Sequence, residues 1–343
     1  MRALCVFGLI ALAAAMLRGQ STNGPVYWSA TPPDCSSLSG ELPVGIANAS
    51  GATIGYSCYV SGTFVWLAAG GGWGSSIRVA APASGAIGAD FSFYDTNGNN
   101  LTLDTTLGRG SSITSGDGVS FALSANQPAE VDLLGATSNA PTYNSALGGS
   151  AYAVFYCPDA TTCGAVLPQL IYSALPAIPW SLSVPIAWDT QVWTQWSAEG
   201  IDDGGANLVS LAIYNEGTTA TAYTVRVYDS TGTLAGMGTT PAIPPFQPLG
   251  NGYLGEGGTY GALLKTLIPT PLPSGVFKIL IDGGSEYSAV AVLQFTGASA
   301  TALQVAYDSA PSLSASAASA QRLNVRAARV GSRPKAVFRE LSR

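Results

Sequence analysis

GGGWGSSIRVAAPASGAIGADFSFYDTNGNNLTL, from Gly70 to Leu103, decides the reading of the fold, because the chain carries the pattern twice. A shift of 134 residues without a gap sets Ile77, Val79, Phe91, Phe93, Tyr94, Asp95 and Gly98 on Leu211, Ile213, Val225, Val227, Tyr228, Asp229 and Gly232. The second copy is GGANLVSLAIYNEGTTATAYTVRVYDSTGTLAG, Gly204 to Gly236. In each, an alternating strand leads through a polar turn into a second alternating strand that ends in Tyr-Asp-x-x-Gly. Period-two alternation puts Phe91 and Phe93, or Val225 and Val227, on one face, with Asp90 and Ser92, or Thr224 and Arg226, on the other. Asn97-Gly98 is a hairpin-turn signal, since both residues tolerate positive φ. The two blocks are therefore expected as equivalent hairpins of a repeated, all-β plan.

Working outward, Met1 to Gln20 has the parts of a signal peptide: Arg2, an apolar run from Ala3 to Leu17, and small residues at the exit. The run is roughly 15 residues, against the ~20 of a membrane helix. The mature chain is expected to be secreted or held at the cell surface, with no transmembrane segment. Past Cys5 there are Cys35, Cys58, Cys157 and Cys163. An even number in an exported chain favours disulfides over free thiols, and three pairings exist. The short CPDATTC loop favours Cys157–Cys163 and leaves Cys35–Cys58. Loop entropy gives about 2.4 and 3.5 kcal/mol for them, a model-dependent scale. Spacings of this kind fit no common zinc finger, and there is no histidine.

Gly 41 and Pro 21 among 343 residues, with 47% hydrophobic, describe an ordered chain rich in turns. Boundaries follow from composition. Residues 21–58 form an N-terminal segment, 59–175 a first β-sandwich, 176–185 a proline-rich linker or shared edge, and 186–308 a second β-sandwich. Both sandwiches are expected to be antiparallel and immunoglobulin-like. Strands are expected at 119–123, 130–134, 152–156 and 167–172, then at 209–214, 223–228, 276–281 and 289–295. The segment from Tyr260, YGALLKTLIP, suits either a strand or one helical turn. Residues 309–343 are a basic tail, disordered or a short helix, with seven cations in its last 22 residues. Between Ser21 and Gln321, five cations meet 19 acids, a net of −14. So acidic a body argues against nucleic acid and anionic lipid as partners.

The repeated block resembles one in exported tandem β-sandwich proteins of soil bacteria that have no assigned activity, GGGW-S-T-x-hydrophobic-V-x-N-P…F-x-D-x-x-G-x-P. The resemblance covers Phe64 to Phe295 in two halves. It departs at the Asn-Pro pair, which is Ala81-Pro82 in the first copy and Asn215-Glu216 in the second. It implies a fold and carries over no catalytic residue.

Chemistry narrows by exclusion. Without histidine there is no Ser-His-Asp or Cys-His arrangement and no imidazole acid or base. Carboxylate pairs of glycosidase type remain, Glu130 with Asp132 and Glu199 with Asp202 and Asp203. A strand face and a turn explain these without an enzyme, so none is expected. Asp95, Asn97 and Asn99 have the alternate oxygen spacing of a calcium loop. Their counterparts Asp229, Thr231 and Thr233 keep the glycine and lose the amides, which favours a turn, so no metal or other cofactor is expected. Trp180, Trp188, Trp193 and Trp196 cluster at the junction beside Asp189 and Glu199. They are core packing or a stacking surface for sugars. The expected function is that of a structural or adhesive surface protein partnered by another surface protein. The alternative is a module binding a polysaccharide or cell-wall polymer through those tryptophans.

Overall fold

The computed structural model describes residues 25–38, 43–47, 52–69, 73–108, 112–135, 147–174, 181–189, 193–202, 208–245, 256–296, 299–303, 305–306 and 339–340. The first half runs β1 (Val44–Ala47), β2 (Thr53–Ala69), β3 (Trp73–Ala80), β4 (Ile87–Asp95), β5 (Leu103–Leu107), β6 (Thr114–Gly116), β7 (Gly118–Leu123), β8 (Pro128–Gly135) and β9 (Leu147–Cys157). A short helix α1 (Ala160–Gly164) then leads to β10 (Gln169–Ala174), β11 (Ser181–Pro185) and β12 (Ala187–Trp188). One sheet is ordered β1-β2-β9-β4-β7 and the facing one β11-β10-β3-β8-β5-β6, with β12 added beside β2. Alternation explains the core between them: Phe91, Phe121 and Phe155 from one sheet meet Ile77, Val131 and Leu170 from the other, all essentially inaccessible.

The second half runs β13 (Gln195–Asp202), β14 (Leu208–Asn215), β15 (Thr224–Tyr228), β16 (Leu234–Thr239), β17 (Thr259–Leu263), α2 (Leu264–Leu267), β18 (Val276–Asp282), β19 (Ser288–Thr296), β20 (Ser299–Leu303) and β21 (Val305–Ala306). Its sheets are β16-β15-β18-β13-β21 and β17-β14-β19-β20. Val225, Val227, Ile279 and Ile281 of one face Leu211, Ile213 and Val292 of the other. The fold is all-β, and the strands of both halves pair antiparallel, as alternation predicts.

Leaving out β1, β5, β6, β12 and β21, the strands of each half can be numbered in chain order. Both halves then give one sheet of order first-sixth-third-fourth and another of order eighth-seventh-second-fifth. The turns agree bond by bond. Gly98 and Gly232 have φ of 81° and 82°. Asp95 Oδ1 accepts from Asn97 N and Asn99 N at 2.8 and 2.9 Å, and Asp229 Oδ1 accepts from Thr231 N and Thr233 N at 2.8 and 3.0 Å.

Several expectations need correction. The strands of the quoted block are not paired with each other, because β3 and β4 lie in opposite sheets, as do β14 and β15. Connecting faces of a sandwich buries both apolar faces in one core, which a hairpin within one sheet would not do. The Tyr-Asp-x-x-Gly turn closes a full hairpin only in the second half, β15 with β16. In the first, pairing stops after the Tyr94↔Asn100 bridge, the chain crosses to β5, and β7 takes the place beside β4. Ser181–Pro185, within the expected linker or shared edge, takes the second alternative as an edge strand on β10. Residues 186–189 pack with the first half, where Ile186 joins the core. Position 58, the expected end of the N-terminal segment, lies inside β2. YGALLKTLIP is both alternatives in turn, the end of β17 and then α2. In CPDATTC, Cys157 ends β9, Pro158-Asp159 is a bend, and α1 begins at Ala160, capped by Asp159, whose side chain accepts from Thr162 N. Of the basic tail only Arg339–Glu340 falls within the described residues, as β22, parallel to β7. The signal peptide lies outside them.

Candidate functional site

Phe64-Val65-Trp66-Leu67 breaks the alternation of β2, and the reason lies at the junction of the two halves. Phe64 and Leu67 enter the first core, whereas Val65 joins Ala212, Tyr214, Tyr287 and Ala289 of the second half in a separate apolar cluster flanked by Trp66, Ala187 and Ala291. The sheet β17-β14-β19-β20 is thus covered on both faces. Leu211 and Ile213 point to its own core and Ala212 and Tyr214 to the first half. Small residues let the halves approach: a Cβ on Gly261 would stand 2.8 Å from the Trp66 ring.

Hydrogen bonds complete this contact. Thr259 Oγ1 donates to the Val65 carbonyl at 2.7 Å, and Thr259 N to the Thr96 carbonyl at 3.0 Å. Glu256 N donates to the Gly98 carbonyl at 3.3 Å, and the buried Tyr214 hydroxyl donates to Glu256 Oε2 at 2.5 Å. The Asn97-Gly98 turn therefore docks on the second half. On the first half's side, buried Asp189 accepts from Ser61 Oγ at 2.7 Å and from the Tyr152 hydroxyl at 2.8 Å. These bonds anchor the chain where it leaves β12.

Next to this contact is a cavity of about 440 Å³ between the halves. Phe64, Trp66, Leu170, Tyr172, Leu263 and Leu293 are the large side chains of its wall, with Thr96 and Ser210 as polar members. The Tyr172 hydroxyl donates to the Trp66 carbonyl. Burial drives the Tyr172 phenol well above its usual 10.0, and burial reinforced by the charge of Glu286 does the same to Tyr223.

The residues singled out from sequence are dispersed. Trp188 packs on the first core, edge-on to Phe155 at 6.1 Å, while Trp196 is 7% exposed in the second core and donates to the Ser288 carbonyl at 3.1 Å. Trp193 packs on the second core and Trp180 lies outside the described residues. The three described rings thus form no single row. Glu130 pairs with Arg78 at 3.0 Å, and Asp132 accepts from Thr106 Oγ1 at 3.2 Å. Glu199 pairs with Lys278 at 3.2 Å, Asp202 lies on β13, and Asp203 is outside the described residues. In the candidate calcium loop, Asn99 Nδ2 donates to Asp95 Oδ2 at 3.2 Å and backbone amides fill Oδ1, the geometry of a self-capped turn. Hydrogen bonding from Thr231 holds Asp229 in the matching turn below its usual value. Both disulfides, Cys35–Cys58 and Cys157–Cys163, are formed, with Cα separations of 5.5 and 5.4 Å.

The junction residues Trp66, Tyr172, Tyr214 and Glu256 escaped sequence reading as a site. The unbroken apolar runs Phe64–Leu67 and Leu211–Tyr214, with one serine, Ser210, before the latter, were the available signal. A strand apolar at consecutive positions is buried on both faces. No protein-family model, curated protein or solved structure matches the chain. Among the described residues no helix is long and apolar enough to cross a membrane.

Proposed function

We propose that the chain is an exported, non-enzymatic structural protein of the cell surface, built of two tandem β-sandwich modules fixed to each other as one body. The observation that carries this reading is the junction, where Val65, Tyr214, Tyr287 and Ala289 are buried between the halves and Thr259 bonds to both Val65 and Thr96. Fixed geometry is what a spacer or adhesive scaffold needs. Flexibly linked domains, by contrast, meet through smaller and more polar contacts. The shared strand order supports a duplicated module that is immunoglobulin-like in its second-with-fifth and third-with-sixth pairings. Its first and seventh strands exchange places relative to that fold. Two disulfides support passage through an oxidising compartment. Of the tryptophans that would favour the glycan reading, Trp188 and Trp193 pack against the two cores and Trp196 lies within the second, which favours packing for these three.

Fractionation of producing cells tests the proposal. The chain is expected outside the cytoplasmic fraction, with its processed N-terminus past residue 15 and with Cys35, Cys58, Cys157 and Cys163 oxidised. Recovery in the cytoplasm with free thiols overturns it.

A further inference from the structure

We propose that the cavity between the halves binds an uncharged, largely hydrocarbon molecule, held between Trp66, Leu170 and Tyr172 on one side and Leu263 and Leu293 on the other. Its volume, about 440 Å³, lies within the usual range for small-molecule sites, roughly 300–1,000 Å³. At the ~30 Å³ that one water takes in the liquid, it has room for about 15 non-hydrogen atoms. The space follows from residue choice. Ala68, Gly148, Ala262 and Ala291 line it where larger aliphatic side chains would close the gap.

Wall chemistry selects the ligand class. Among the described residues, no charged side chain lines the cavity, and the hydroxyls are those of Thr96, Ser210 and Tyr172. The last is engaged by the Trp66 carbonyl. A sugar would bury many hydroxyls against these walls, and each left unpaired costs about 1–3 kcal/mol. An ion would be worse placed still. A hydrocarbon body with at most one or two polar groups, reaching Thr96 or Ser210, suits the walls. Walls of this kind offer water few of the polar partners it needs and favour apolar guests. The inference goes beyond the structural role proposed above and does not depend on it, since a rigid scaffold can exist with the cavity empty.

Titration of the intact mature protein with anthracene, a neutral hydrocarbon fluorophore small enough for this space, tests the site. Saturable binding of one probe per chain is expected, with energy transfer from Trp66 that falls in Trp66→Phe. Ala262→Phe and Ala291→Phe fill the space and should each weaken binding at least tenfold, while Val276→Ser, on an exposed position of the second half, leaves it unchanged. If neither filled variant folds, the thermal midpoint of the wild-type protein is the readout, and it should rise with probe concentration as binding to the folded state requires. Absence of saturable binding by the wild type overturns the proposal, including the case in which the chain's own residues occupy the space. Undiminished binding by a folded Ala262→Phe or Ala291→Phe overturns it as well.

Discussion

Gly98 and Gly232 hold nearly the same left-handed conformation, φ 81° and 82°, in turns with matching hydrogen bonds. Their surroundings differ. Gly232 has open space where a Cβ would be, whereas a Cβ on Gly98 would fall on the Glu256 carbonyl oxygen, well inside contact distance. Gly232→Ala should therefore cost only the conformational strain, about 1–2 kcal/mol, and Gly98→Ala clearly more, because the junction must also shift. Urea midpoints of the two variants check this, and equal losses would contradict the docking of the Asn97-Gly98 turn. Tyr172 and Tyr223 allow a pH prediction. Their phenols are raised by burial above 10.0 in the folded state. Above about pH 10 the unfolded chain releases those protons while the folded one keeps them, so the unfolded state binds fewer protons and stability falls with rising pH. Alkaline titration of the urea midpoint should show this fall, and it should be shallower in the Tyr172→Phe/Tyr223→Phe double variant.

Strand β13 carries Trp196 into the second core, 7% exposed and hydrogen-bonded to Ser288. Trp196→Ala is expected to destabilise by about 3–5 kcal/mol, the scale for emptying a buried aromatic site, as measured by denaturant unfolding. A loss under 1 kcal/mol would return the ring to the candidates for a binding surface. How much was legible in sequence differs from strand to strand. Strands β15 and β18 have one face in a core and one outside it, so alternation located them well. Strands β2, β14 and β19 are covered on both faces, which erases alternation and hides the partner, because an apolar run does not say what lies against it. The copy at Gly204–Gly236 revealed the repeat, yet not that its two strands sit in opposite sheets. Sheet membership is decided by contacts between distant residues, such as Ile77 with Leu170 and Phe91 with Ala153. The cavity was out of reach for the same reason: its walls are assembled from β2, β9, β10, β11, β14, β17, β19 and the turn after β4.

At the scale of the molecule, two cores are joined by a smaller cluster around Val65, Ala212 and Tyr214, and a fourth cluster of Tyr59, Tyr94, Tyr152 and Val154 lies on the first half. The joining cluster decides whether the halves behave as one body. Full burial of a Val, Leu or Phe side chain contributes about 1.5–3 kcal/mol, and the bonds from Thr259 and Tyr214 add to it. Coupling of several kcal/mol is enough to merge two unfolding steps into one. Scanning calorimetry of the mature protein with its disulfides intact tests this most directly. A single transition is expected whose calorimetric and van't Hoff enthalpies agree, with division into two in Gly261→Leu, where the new side chain would strike the Trp66 ring and part the halves. Two separate transitions in the wild-type protein, both unmoved by Gly261→Leu, would contradict it.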